Sequence, residues 1–155
     1  MIDRIVLTLG TFDLLHVGHL NLIDTCRRIA GRTGRVVVGL NSDQFIEKYK
    51  GEYPVMSFYE RARILGALRG VDQVIANPAF EQQRATIERG FAMGLEMPLT
   101  DRFLVIGTDW AAKDYYAQLG ITRVWLEERS IQLLYIPYTE GISSTKLRRH
   151  LADLD

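Results

Sequence analysis

Two histidines three positions apart, His16 and His19, are the residues best placed to do chemistry in this chain. They lie between an apolar run, Arg4–Leu9, that predicts a buried strand and an amphipathic run, Gly18–Gly31, that predicts a helix. Where a parallel strand is followed by a helix, the backbone N–H groups and the positive end of the helix dipole bind anions. Imidazoles can donate hydrogen bonds to phosphate oxygens as charge builds up in a transition state. The pair therefore predicts a phosphate site.

A second anion-binding helix start is predicted near the C-terminus. The stretch Thr139–Arg148 reads TEGISSTKLR, and its hydroxyl residues open a predicted helix, Ser143–Leu154. Such hydroxyls are often only helix caps, worth ~1 kcal/mol each to stability. Because a second such helix start lies at the other end of the same small chain, we interpret both as holding one nucleotide between them.

Composition indicates one domain, residues 1–155, long enough to bury a substantial core. The formal net charge is zero, which argues against nucleic acid or an anionic membrane as partner. The lone cysteine, Cys26, excludes an internal disulfide and fits a reducing compartment. No apolar run approaches ~20 residues, and the N-terminus shows no signal-peptide pattern. We expect a cytoplasmic protein without nucleic-acid or membrane partners.

Short β-branched runs alternate with amphipathic segments, the pattern of βαβ units in an α/β fold with a parallel sheet. The predicted strands are Arg4–Leu9, Arg35–Leu40, Gln73–Ala76, Arg102–Gly107 and Gln132–Ile136. The predicted helices are Gly18–Gly31, Ser57–Leu68, Glu81–Met93, Ala111–Leu119 and Ser143–Leu154. Two polar stretches, Asn41–Pro54 and Leu95–Asp101, are interpreted as loops. In such a sheet the segments 10–19, 41–50, 107–113 and 137–146 follow strands and should meet at one edge.

A zinc site is the rival interpretation of the histidine pair. The only further histidine is His150, and no cysteine cluster has metal-ligand spacing. Zinc is therefore rejected.

The two end motifs together resemble a known family. Gly10–His19, GTFDLLHVGH, resembles the HxGH motif of the nucleotidyltransferase superfamily. With Thr139–Lys146 it resembles the cytidylyltransferases, most closely the bacterial glycerol-3-phosphate cytidylyltransferases. Phe58–Arg61, Leu68–Ile75 and Ile106–Trp110 match family segments in the same order, so the resemblance spans most of the chain.

The resemblance implies a Rossmann-like, three-layer fold of the HIGH nucleotidyltransferase type with a five-stranded parallel sheet, and a homodimer. It implies that CTP and a phosphorylated small alcohol, glycerol 3-phosphate above others, give a CDP-alcohol and pyrophosphate. The acceptor phosphate attacks the α-phosphorus in line, so catalysis consists of positioning and charge stabilisation. Mg²⁺ is the implied cofactor, held mainly by nucleotide oxygens and water.

The resemblance also implies roles for individual residues. The catalytic set is His16, His19 and Lys48, and the acceptor-binding pair is Lys50 and Arg61. The implied nucleotide-binding residues are Gly10, Thr11, Phe12, Asp13, Gly18, Asp109, Trp110, Thr139, Gly141, Ile142, Ser143, Ser144, Thr145 and Arg148.

Departures from the family pattern leave alternatives open. Tyr138 stands where the cytidylyltransferases usually carry arginine, and a phenol does not replace a guanidinium on phosphate. This change can shift the preference for the acceptor or for the nucleotide base. One alternative is an adenylyltransferase of the same superfamily using ATP on a mononucleotide or sugar phosphate. Another is a nucleotide-binding module without turnover.

The segment Tyr115–Ser130 is longer than in the short bacterial enzyme and is interpreted as an acceptor lid or a dimer surface.

Overall fold

Five parallel strands form one sheet in the computed structural model, which describes residues 2–92, 101–108 and 114–154. The strands are β1 Arg4–Gly10, β2 Arg35–Asn41, β3 Gln73–Asn77, β4 Asp101–Gly107 and β5 Ile131–Ile136. Their order is β3-β2-β1-β4-β5, and each neighbouring pair is parallel. The predicted five-stranded parallel sheet is confirmed. The chain moves outward from β1 first on one side and then on the other, so the switch point of the sheet lies beside β1.

Helices connect the strands on both faces of the sheet. They are α1 Val17–Ala30, α2 Asp43–Lys50, α3 Phe58–Gly66, α4 Gln83–Ala92, α5 Tyr115–Leu119, α6 Arg123–Glu128 and α7 Ser144–Ala152. A short 3-10 helix, Phe80–Gln82, precedes α4, so the helix predicted over Glu81–Met93 starts in a tighter form. The predicted helix Ala111–Leu119 is observed from Tyr115; residues 93–100 and 109–113 lie outside the described residues.

The polar stretch Asn41–Pro54, interpreted as a loop, is largely helical, and this prediction was wrong. Ser42 caps α2 by accepting a hydrogen bond from the Phe45 N–H, and Gly51 ends the helix in a left-handed conformation. Phe45 and Ile46 are buried. Ser42 and Gly51 are the start and stop signals of this helix and are visible in the sequence, but the polar composition of the segment favoured a loop.

Alternation along β1 divides the core into two layers. Ile5 and Leu7 pack with residues of α4, α5 and α6, whereas Val6 faces the other side with Cys26 and Ala30 of α1. A third cluster surrounds Phe12 and brings in α3. The sheet is therefore covered on both faces, as the three-layer prediction requires.

The segment Tyr115–Ser130 forms α5 and α6, and most of its large side chains belong to the core. Tyr115, Leu119, Trp125 and Leu126 are all buried in the cluster on the α4 side of the sheet. The segment thus forms a packed layer, and its Tyr115, Gln118 and Leu119 also line the main cleft of the molecule; an acceptor lid or a dimer surface stays a prediction. Within the described ranges, none of the helices has the length and apolar character needed to cross a membrane.

Candidate active site

The carboxyl ends of β1, β2, β4 and β5 open into one cleft of about 350 Å³. It lies beside β1, where the strand order reverses and ligands bind in open α/β sheets. The predicted site residues that line it are Gly10, Thr11, Phe12, Asp13, His16, Gly18, His19, Lys50, Thr139, Ser143, Ser144, Thr145 and Arg148. The structure therefore brings the two ends of the chain to one cleft, as the sequence predicted.

The two histidines form a capping box at the start of α1. His16 Nδ1 accepts a hydrogen bond from Gly18 N at 3.1 Å, and His19 Nδ1 accepts one from His16 N at 3.2 Å. A ring nitrogen that accepts carries no proton, so a neutral imidazole then holds its proton on Nε2. The rings are stacked, with centroids 3.9 Å apart. Each histidine thus caps the helix with one nitrogen and keeps an N–H donor on the other.

Burial keeps both imidazoles neutral near pH 7. Burial, together with the repulsion that a protonated His16 and Lys50 would exert, lowers the pKa of His19 to about 4, although the Asp13 carboxylate opposes the shift. Burial also lowers the pKa of His16. A neutral pair keeps the capping box intact and presents two Nε2–H donors without placing two positive charges side by side.

Gly18 lets the His16 ring lie against the helix backbone. A Cβ at this position would meet His16 Cε1 at 2.9 Å, closer than real Cβ contacts allow. The glycine between the two histidines is therefore required by the cap geometry itself.

Asp13 ties the two ends of the chain together. Its carboxylate is 2% exposed and accepts hydrogen bonds from Val55 N at 2.8 Å, Met56 N at 2.9 Å and Arg148 at 2.9 Å. Its backbone carbonyl accepts from Ser144 Oγ at 2.6 Å. Burial alone would raise the pKa of Asp13, but the hydrogen bonds from Val55, Met56 and Arg148 outweigh it and lower that pKa. Although Asp13 lines the cleft, its carboxylate is engaged by the protein.

The start of α7 carries the second set of hydroxyls. Ser143 caps the helix by accepting from Lys146 N at 3.1 Å, and Thr139 accepts from Asn21 Nδ2 of α1 at 3.0 Å. Arg148 pairs with Glu52 as well as with Asp13. An anion that binds Arg148 must therefore compete with the Glu52 carboxylate.

Tyr138, which stands at the family's arginine position, also lines the cleft. Its hydroxyl donates to the carbonyl of Ile142 at 2.8 Å, which closes the turn before α7. Gly141, in the same turn, adopts a positive φ of 87°. Gly141 and Ile142, predicted to bind nucleotide, shape this turn behind the lining residues.

Arg61, predicted to bind the acceptor, is a buried strut. It is 1% exposed, and its guanidinium donates to the carbonyls of Met56, Thr11 and Asn41 and to the carboxylate of Asp43. The structure therefore corrects this assignment: Arg61 holds the loop after β1 against the start of α2. A lone arginine in a sequence does not reveal such burial, because long charged residues are mostly exposed.

Lys48 and Lys50 differ in position because the segment is a helix. Lys48 Nζ pairs with Glu81 at 2.6 Å outside the cleft, with 67% of its side chain exposed, whereas Lys50 lines the cleft. Two positions apart on an α-helix, the side chains point about 200° away from each other. The structure therefore places Lys50, not the predicted catalytic Lys48, beside the histidines.

Three aromatic side chains form one wall of the cleft, and two of them, Phe45 and Tyr49, were not predicted. Phe45 and Tyr49 lie one turn apart on α2, and Phe80 packs against both, with ring centroids 6.3 and 6.4 Å away. All three line the cleft together with Gln83 and Gln118. The i, i+4 spacing would have revealed the pair had α2 been predicted.

Asp109 and Trp110, predicted to bind nucleotide, lie outside the described residues.

The sequence is similar to a known family and to several known proteins. Residues 7–150 match the family model described as cytidylyltransferase-like. The chain is 31% identical over 150 residues to glycerol-3-phosphate cytidylyltransferase of Bacillus subtilis (strain 168), covering 96% of this chain and 98% of that protein. It is 36% identical over 146 residues to the bifunctional protein HldE of Koribacter versatilis (strain Ellin345), covering 94% of this chain and 26% of that longer protein.

A solved structure shares the fold. The lipopolysaccharide core biosynthesis protein from Thermoplasma volcanium GSS1 superposes with a TM-score of 0.53 at 19% identity, covering 88% of this chain and 98% of that chain.

Two replacements of His16 should show how much its capping of α1 contributes to stability. His16→Ala removes the acceptor for Gly18 N and should lower the free energy of unfolding by about 1 kcal/mol. His16→Asn keeps a side-chain acceptor at the cap position and should stay close to the wild type. Urea unfolding of both variants is the measurement. Equal losses for alanine and asparagine would contradict the capping role.

The free energy of unfolding should fall as the pH drops from 6.5 towards 4. In this window the unfolded chain protonates His19 at its ordinary pKa of 6.5, while the folded chain holds it neutral because its pKa is about 4. Protonation then favours the unfolded state, by on the order of 2 kcal/mol across the window. Above pH 6.5 both states are neutral and this contribution is constant. In His19→Asn this part of the decline should vanish; parallel pH curves from urea titrations would argue against the lowered pKa.

Arg61→Met should be strongly destabilising. It leaves Asp43 and three carbonyls without their donor, and breaking a buried pair typically costs about 3–5 kcal/mol. Arg63→Met on the same helix is the matched control, because Arg63 is exposed. Chemical denaturation gives the free energy of unfolding of both variants. Similar losses of stability in the two would rule out the structural role of Arg61.

Proposed function

Because the chain belongs to the cytidylyltransferase-like family and is a nucleotidyltransferase, we propose that it transfers CMP from CTP to a phosphorylated small alcohol. Glycerol 3-phosphate is the proposed acceptor, on the strength of the near-full-length similarity to the Bacillus subtilis enzyme. The observation that carries the proposal is that two imidazoles, each with Nδ1 engaged and Nε2 left to donate, line the same cleft as the hydroxyl-bearing start of α7.

The proposed reaction is a direct displacement. A phosphate oxygen of the acceptor forms a bond to the α-phosphorus of CTP as the bond from that phosphorus to the bridging oxygen breaks. Pyrophosphate leaves with the electron pair. The chain's own residues bind and orient the two phosphates and stabilise the charge that develops on the α-phosphate oxygens. His16 and His19 fit this role because their Nε2–H donors are fixed by the helix cap before the nucleotide arrives.

The remaining cations and hydroxyls fit the flanking phosphates. Ser143, Ser144 and Thr145 open α7, whose N-terminus attracts the terminal phosphates of the nucleotide. Lys50 lines the cleft and is proposed to neutralise phosphate charge in place of Lys48. The aromatic wall, formed by α2 and the 3-10 helix after β3, would hold the part of the acceptor that carries no phosphate.

Mg²⁺ is the proposed cofactor, and the donor set fits a loosely held ion. The Asp13 carboxylate, which lines the cleft, is already engaged by two backbone N–H groups and Arg148. The protein therefore leaves most metal ligands to phosphate oxygens and water, the usual arrangement for this ion. When bound, Mg²⁺ would neutralise polyphosphate charge. The homodimer and the cytoplasmic location stay predictions.

Pyrophosphate release with each of the four nucleoside triphosphates and a panel of phosphorylated polyols and sugars tests the donor and acceptor. We expect turnover with CTP and Mg²⁺, and with glycerol 3-phosphate above the other acceptors. Turnover with ATP and none with CTP would support an adenylyltransferase instead. Absence of turnover with every pair, despite nucleotide binding, would support a binding module.

His16→Asn should lower kcat by about 10²–10³-fold, because it removes one donor to the developing charge while keeping the helix cap. The dissociation constant for CTP, measured by calorimetry, should change far less. His150→Asn on α7 is the control, since His150 is exposed and should tolerate the change. An unchanged kcat for His16→Asn would overturn the catalytic role of the imidazole.

A further inference from the structure

A chain of hydrogen-bonded polar side chains runs from α4 to the loop after β1, where its last two members, Asn41 and Thr11, line the cleft. Thr86 and Asn77 are 0% exposed, and Asn41 is 9% exposed. Asn77 Nδ2 lies 2.8 Å from Asn41 Oδ1, and Asn41 Nδ2 lies 3.3 Å from Thr11 Oγ1. Burying amides is unfavourable unless they are hydrogen-bonded, and apolar residues would fill the same space without that requirement. Packing alone therefore does not explain why polar side chains occupy these positions.

The hydrogen bonds run in one direction. Arg89 can only donate, and its guanidinium lies 3.2 Å from Thr86 Oγ1. The single proton of Thr86 has two acceptors within reach, and Asn77 Oδ1 at 2.9 Å is nearer than the Gln82 carbonyl at 3.1 Å. With its oxygen accepting, Asn77 donates through Nδ2 to Asn41, which in turn donates to Thr11.

The direction decides what Thr11 can do. Its oxygen accepts the proton of Asn41, so its own hydroxyl proton is left to point elsewhere, and Thr11 lines the cleft. Arg61 fixes the two backbones, because the same nitrogen donates to the carbonyls of Thr11 at 2.6 Å and Asn41 at 3.0 Å.

We propose that Thr86, Asn77 and Asn41 are positioning residues that orient the Thr11 hydroxyl as a hydrogen-bond donor to an anionic oxygen in the cleft. The inference rests on the proposed function insofar as that oxygen belongs to a nucleotide or acceptor phosphate. Were the chain reversed, Thr11 would donate inward to Asn41 and would offer the cleft only lone pairs, which repel a phosphate.

The side-chain amide signals of Asn41 and Asn77 in nuclear magnetic resonance spectra test the direction without any substrate. Thr11→Val removes the acceptor of Asn41 Nδ2, so the Asn41 amide protons should shift upfield. Thr86→Val removes a donor to Asn77 Oδ1, so the amide protons of Asn77 should stay near their wild-type position. The opposite pattern, a shift of Asn77 in Thr86→Val and none of Asn41 in Thr11→Val, would overturn the proposal.

A double-mutant cycle tests the consequence for the reaction. Thr11→Val and Asn41→Ala should each lower kcat/KM on the order of tenfold, the usual loss for a hydrogen bond to a charged group. The double variant should be no worse than either single variant, because Asn41 acts through Thr11. Thr11→Ser keeps the hydroxyl and should restore most of the activity. Multiplicative losses would show that Asn41 acts independently and would overturn the proposal.

The two experiments separate this inference from the proposed function. Absence of turnover in the wild type with every triphosphate would contradict the proposed function, and the amide signals would still decide the direction of the chain. Thermal unfolding of Asn41→Ala is measured alongside. If that variant does not fold, Asn41→Ser, which keeps a polar side chain, takes its place in the cycle.

Discussion

One buried carboxylate joins the ends of this molecule. Asp13 follows β1; its carboxylate accepts from Arg148, 135 positions away along the chain, and its backbone carbonyl accepts from Ser144, 131 positions away. Closing so long a loop has an entropic cost, which charge-assisted hydrogen bonds to a buried carboxylate help to offset. This connection helps to hold the two helix starts, which are proposed to bind anions, at one cleft. Asp13 is therefore the residue on which the geometry of the whole site depends.

At the first of these helix starts, one imidazole caps the helix and also carries the donor that is proposed to act in the reaction. The nitrogen of His16 that caps α1 must be unprotonated, which places the proton on the nitrogen that remains. Burial, by keeping the pair neutral, maintains that arrangement at neutral pH. At the second helix start, Ser143 caps α7 while Ser144 reaches back to Asp13. The groups proposed for catalysis are thus preorganised by the same contacts that begin the two helices.

The sequence predicted the sheet and the convergence of the two motifs because both depend on local patterns: apolar runs, glycines and helix caps. It failed where a side chain's role depends on a tertiary partner. Arg61 is buried by four acceptors that come from three separate segments, and Lys48 is turned away from the cleft by a helix interpreted as a loop. Asn41 and Asn77, 36 positions apart, meet only because β2 and β3 are neighbours in register. Nothing in the single sequence marks such a pair.

A crystal structure of the protein with Mg²⁺ and a CTP analogue whose α,β-bridging oxygen is a methylene group tests the central claim most directly. The account predicts that the α-phosphate lies within hydrogen-bond distance of Nε2 of His16 and His19. It also predicts that the terminal phosphates contact the start of α7 at Ser143, Ser144 or Thr145. A triphosphate held by only one of the two helix starts, with the other facing solvent, would contradict the account.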